Sequence, residues 1–78
     1  MNTEIVPGRY QHYKGNFYDV IGITIHSETL ERLVLYRALY SSKEFGEDTL
    51  WVRPLSMFTE DVIVEGKTVP RFKKIHTD

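Results

Sequence analysis

The chain has 78 residues, 41% of them hydrophobic, no cysteine and a formal net charge of −1. Such a length allows one domain with one small core, burying only about 60% of the unfolded surface, and leaves no room for a deep cavity between two domains. The missing cysteines exclude a disulfide, a thiolate nucleophile and a cysteine-based zinc site, and the charge balance argues against a protein that coats nucleic acid electrostatically.

Alanine occurs once, at Ala38, where a typical domain of this size carries roughly six. Val, Ile, Thr, Phe, Tyr and Trp supply thirty of the residues, and these stiff or bulky side chains suit a pleated surface better than a helix. An open sheet this small exposes two edges, and curling it shut removes them. The expected fold is therefore mostly β, a small barrel of roughly five or six short strands.

In chain order, Pro7-Gly8 reads as a turn or strand entry, and Arg9 to Tyr13 as a strand with Tyr10 and His12 on one side. Lys14-Gly15-Asn16 is a turn. Phe17 to His26 is the clearest strand: Ile21, Ile23 and Ile25 share one face, and a crossing of faces at Gly22 would bury Val20 with them. Ser27 to Arg32 reads as a connection. Leu33 to Tyr40 fits a short helix or a strand. The helix would be apolar nearly all round, so strand is preferred. Ser41 to Thr49 is a loop and Leu50 to Arg53 a short strand ended by Pro54. Leu55 to Phe58 suits one 3₁₀ turn. Val62 to Val64 and Thr68 to Phe72 form a C-terminal hairpin around Glu65-Gly66-Lys67, with Pro70 forcing the last strand to an edge. Lys73 to Asp78 reads as a frayed tail, so the single domain, 1–78, has its core at about 6–72.

The runs Gly8-Arg9-Tyr10, His12-Tyr13-Lys14-Gly15, His26-Ser27-Glu28-Thr29-Leu30-Glu31, Tyr36-Arg37-Ala38-Leu39-Tyr40, Leu50 to Phe58 and Val69-Pro70-Arg71-Phe72 resemble the small bacterial family catalogued as domain of unknown function 1653, over about residues 6–72. The resemblance implies a bacterial, mostly β domain with an SH3-like barrel and implies no activity.

Arginine and lysine segregate. Lys14, Lys43 and Lys67 fall in turns, whereas Arg9, Arg37, Arg53 and Arg71 fall inside expected strands beside Tyr10, Tyr36, Trp51 and Phe72. A guanidinium can stack on a ring and fork a carboxylate or phosphate, so several on one face would make an anion or nucleotide site. The competing reading is that they pair across strands with Asp19, Glu60 or Asp61. His26-Ser27-Glu28-Thr29 carries acid–base groups in one loop, but adjacent residues rarely aim at one atom, and no serine sits in a nucleophile-elbow frame. His12, His26 and His76 lack the spacing of a metal motif, so no metal and no cofactor are expected. Most aromatics should be core: all four Phe, with two or three Tyr partly exposed.

The expected function is a non-catalytic binding or interaction module. Its ligand-binding surface would combine Tyr10, His26, Glu28, Tyr36, Arg37, Trp51 and Arg53, with a protein, peptide or small anionic ligand as partner. A small enzyme or anion/nucleotide-binding sensor using Arg37, Arg53 and His26 is one alternative, and a homo-oligomeric accessory protein another. Nucleic acid is disfavoured by the charge. The longest apolar run is Leu33 to Tyr36, against the ~20 residues needed to span a bilayer. The N-terminus lacks the basic and apolar regions of a signal peptide. Together these make a cytoplasmic location the expectation.

Overall fold

Period-two alternation decides most of the secondary structure. A computed structural model describes residues 5–75. Along them run β1 (Gly8–His12), β2 (Phe17–Ile25), β3 (Arg32–Ala38), β4 (Leu50–Pro54), α1 (Leu55–Phe58), β5 (Asp61–Val64), β6 (Lys67–Pro70) and β7 (Phe72–Lys74). The ambiguous segment is strand β3: Val34, Tyr36 and Ala38 point into the core, and the residues between them are half-buried.

The domain is mostly β: a five-stranded antiparallel sheet in the order β4-β3-β2-β1-β7, plus the separate hairpin β5–β6. The expected barrel is not closed by hydrogen bonds. Among the described residues β4 and β7 remain the two ends of the ladder, and no backbone bond joins them. Laid flat, five strands would hold these edges roughly 19 Å apart. Yet the Arg53 guanidinium on β4 lies 5.5 Å from the ring centre of Phe72 on β7. The sheet therefore curls strongly, and side chains fill its seam where a ladder was expected.

The core lies inside the curl. It comprises Tyr10, Tyr18, Val20, Val34, Tyr36, Ala38, Phe58 and Phe72, with Ile5, Trp51 and Leu55 packed against it. The Phe expectation holds for half the set: Phe17 and Phe45 are exposed, because Phe17 opens β2 beside a turn and Phe45 sits in the 39–49 loop. Tyr13 and Tyr40 are the partly exposed tyrosines.

The crossing at Gly22 is present. The β2–β3 register slips between Val20 and Gly22, so Val20, opposite Tyr36, shares a face with Ile23, opposite Val34. Val20 is buried, but Ile21, Ile23 and Ile25 stay 43%, 41% and 52% exposed. The nine-residue β2 runs past the aromatic cluster, so its far end has the core-facing side without a core beneath it.

The turn after Pro54 is α rather than 3₁₀. The Thr59 N–H donates to the Leu55 carbonyl four residues back at 3.1 Å, and its hydroxyl donates to the same oxygen at 3.0 Å. Phe58, the last residue of this turn, is buried in the core. The expected final strand is broken at Arg71 into β6 and β7. The Arg71 N–H donates to the Glu60 carbonyl at 3.0 Å, and its carbonyl accepts from the Tyr13 N–H at 2.9 Å. Arg71 thus hinges the hairpin to the main sheet. Lys73 and Lys74 belong to β7 rather than to a frayed tail, because pairing with Gln11 and Tyr10 satisfies their backbone. His76 and the rest of the expected tail lie outside the described residues.

The β5–β6 turn has φ of 51° at Glu65 and 79° at Gly66, the type I′ geometry that favours asparagine and glycine. Glu65→Asn is expected to raise stability by about 0.5 kcal/mol by relieving a left-handed glutamate. Urea denaturation with an unchanged slope checks this, and a lowered midpoint would contradict the turn assignment.

Candidate functional site

Register and contacts sort the four arginines expected in strands, of which Arg71 falls between β6 and β7. Asp19 on β2 stands opposite Arg9 on one side and Arg37 on the other, so this trio forms a row across the outer face of the sheet. The Arg9–Asp19 ion pair measures 3.9 Å. Arg71 donates through Nη2 to Glu60 Oε1 at 2.7 Å. Arg53 differs. Opposite Val34, it points to the inner face, and among the described residues no carboxylate pairs with it.

Arg53 ends on an aromatic floor. Its Nε donates to the Tyr36 hydroxyl at a long 3.4 Å, and its guanidinium lies over Phe72. Phe72 in turn stacks on Phe58 at 4.0 Å with planes 5° apart, and His12 meets Phe72 edge-on at 4.9 Å. The alternation of β1 sets His12 on the same face as Tyr10, directly opposite Phe72.

The result is a small cationic centre. The His12 imidazole is held below its ordinary pKa, first by burial and then by Arg53, Arg71 and Lys14. Its Nδ1 accepts the Lys14 N–H at 3.2 Å, which leaves Nε2 for another group. The Arg71 Nε is buried with no hydrogen-bond partner, and a buried unmatched donor of this kind is costly unless something accepts from it. Beside this centre the Tyr18 and Tyr40 hydroxyls share a hydrogen bond at 3.2 Å. Burial, reinforced by Tyr40, pushes the Tyr18 phenol well above its usual range.

The residues expected from sequence divide between locations. Tyr36 and Arg53 come together, and Trp51, opposite Tyr36, shares their face while its ring packs edge-on against Phe45 at 5.2 Å. Tyr10 is core, its hydroxyl donating to the Val6 carbonyl at 2.8 Å. Arg37 is on the opposite face from Arg53, so the two do not flank one concavity. His26 and Glu28 lie in the β2–β3 turn, where His26 Nδ1 accepts the N–H groups of Glu28 and Thr29 at 3.1 and 3.3 Å. That bonding gives His26 a local turn-capping role. His12 enters the centre without having been expected there, and Arg71, one of the four arginines considered for an anion site, enters it from outside the expected surface. The alternation of Tyr10 with His12 carried the signal for the first, and Arg71 beside Phe72 the signal for the second. Among the described residues no group of three His, Asp or Glu side chains gathers as a metal ion would require.

The family described as "Protein of unknown function (DUF1653)" matches residues 8–74. The crystal structure of a protein belonging to DUF1653 from Bordetella bronchiseptica superposes with a TM-score of 0.82 at 34% identity, covering 91% of this chain and 87% of that one. No curated protein matches the chain.

His12 is expected to titrate below 6.5 when followed by NMR. Its folded pKa lies under the unfolded one, so its contribution to stability is whole above pH 6.5 and is lost as the pH falls through the folded value. Arg53→Gln should move the His12 pKa only part of the way back, since burial is the larger cause. A wild-type value at or above the ordinary one would remove the cationic centre from consideration.

Proposed function

The chain belongs to the DUF1653 family, and from the centre it builds at its seam we propose that the domain is a non-catalytic binding module recognising an anionic group, a carboxylate or phosphate, at Arg53, Arg71 and His12. One observation carries the reading: Arg53, without a carboxylate, lies over the Phe72 ring that His12 meets edge-on, and Arg71, next to Phe72 in the chain, has a buried Nε lacking an acceptor. A forked guanidinium on an aromatic face is suited to a planar oxyanion. The curled sheet further supports an SH3-like, open barrel whose seam is the binding end.

Titration with inorganic phosphate, acetate and adenosine monophosphate, each followed by amide and side-chain NMR shifts, tests the proposal. Shifts should concentrate at His12, Tyr36, Arg53 and Arg71. Arg53→Gln should weaken binding at least about tenfold, the loss of one charge-assisted pair. No response from any of the three anions, or a response confined to Arg9, Asp19 and Arg37 on the outer face, would reject it.

A second reading, self-association, is supported by Ile23 and Ile25, which lie half-exposed on one face of β2, with Ile21 half-exposed at the bulge beside them. It expects the light-scattering mass to double with rising concentration and Ile23→Lys to prevent this. A monomer mass throughout ends that reading.

A further inference from the structure

Among the described residues the β5–β6 hairpin pairs with no strand of the main sheet, and each of its strands keeps one unpaired edge. Between it and the β1–β7 side of the main sheet runs an open groove of about 510 Å³, within the size range of ligand sites. One wall is the hairpin, with Val64, Val69 and Pro70, and the other carries His12 and Tyr13. Lys67 and Lys73 also line the groove, against one carboxylate, Glu65. Lys14 adds a third ammonium nearby, 5.8 Å from the centre of the Tyr13 ring. The whole chain has a net charge of −1, so this gathering of cations is local to the groove and not a property of the entire surface.

We propose that this groove docks an extended peptide segment of another protein, one in which apolar and acidic side chains alternate. Three observations select that occupant. The hairpin wall itself alternates: Lys67 and Val69, two residues apart on β6, share the face on which Val64 stands opposite Lys67. A strand laid along such a wall meets an apolar contact and an ammonium in turn. The cations outnumber the carboxylate, which favours acidic over basic segments and speeds their encounter. The unpaired strand edges offer backbone groups to an extended chain, the mode in which peptides add to sheets. Arg53 does not line the groove, so this inference does not rest on the anion centre, although His12 borders both.

The test uses the full chain and two pools of blocked hexapeptides. One pool alternates Glu with Val, Leu, Phe or Tyr, and the other has Gln in place of every Glu. The acidic pool is expected to shift the amides of Tyr13, Val64, Lys67 and Val69, and to bind at least about tenfold more tightly than the neutral pool, as expected for several ion pairs acting together. Lys67→Gln with Lys73→Gln should weaken it about fivefold. Val64→Glu, which puts a like charge into the groove at a position already 37% exposed, should abolish it. Ile63→Glu, on the opposite face of the same strand and 77% exposed, should leave it unchanged and control for folding. Arg53→Gln should also leave it unchanged while weakening the phosphate response at least about tenfold, which separates this inference from the proposed function. Equal shifts from both pools, silence at the groove amides, loss of groove binding in Arg53→Gln, or the same shifts from free glutamate alone would overturn the proposal.

Discussion

The fold depends on the ring of Phe72. It sits on β7, the last strand, yet it stacks on Phe58 after β4, lies 5.7 Å from Tyr18 on β2 and 5.7 Å from Tyr36 on β3, and meets His12 of β1. One side chain thus touches groups from every part of the main sheet except its own strand. Such contacts are long-range in sequence, so the core is incomplete until the end of the chain has been placed. The ring also holds the sheet in its curl, because β4 and β7 meet through Phe58, Phe72 and Arg53 and not through a ladder. Each aromatic pair adds about 0.5–1.5 kcal/mol beyond its buried area, which matters in a domain whose buried aliphatics are only Val20, Val34 and Ala38.

A core built from tyrosine has a consequence that a core of leucine would not have. Each buried phenol brings a hydroxyl that must find a partner. Tyr10 reaches the Val6 carbonyl, Tyr18 reaches Tyr40, and Tyr36 accepts from Arg53. The last of these draws a guanidinium inward to the edge of the core. Arg53 is therefore both a lid on the aromatic cluster and its charged face. The candidate site follows from how the core is filled: the ring that closes the sheet is also the floor beneath Arg53 and the neighbour that partly buries His12.

The strands were legible because alternation is a local property. Tyr10 with His12, and Val34 with Tyr36 and Ala38, declare their shared faces within a few residues, and the structure keeps those faces. What could not be read were the relations between distant segments. Ile21, Ile23 and Ile25 look like the best core strand in the sequence, yet they extend past the place where Phe58 and Phe72 meet, a place set by the far end of the chain. Closure of the barrel was inferred from the energetic liability of free edges, but a short α turn and its phenylalanine occupy the seam instead. The same limit applied to the site. Arg37 and Arg53 look equivalent in sequence, both in strands and both beside aromatics. Only the register shows that Arg37 belongs to the row with Asp19 and Arg9, whereas Arg53 faces inward.

The arginines are unevenly supplied with carboxylate partners. A chain with ten basic and eleven acidic side chains has carboxylates available for every arginine. Two of the arginines are so paired: Arg9 with Asp19 at 3.9 Å, and Arg71 with Glu60 by one of its nitrogens. Arg53, like Arg32 and Arg37, is in no ion pair among the described residues, and it lies over the Phe72 ring; Arg71, next to Phe72 in the chain, keeps a buried Nε unmatched. A fold selected only for stability would gain by supplying an acceptor there. The unmatched donor and the unpaired guanidinium, on an aromatic floor and next to a histidine whose pKa is lowered by burial and by nearby cations, are the features on which the proposed anion site rests.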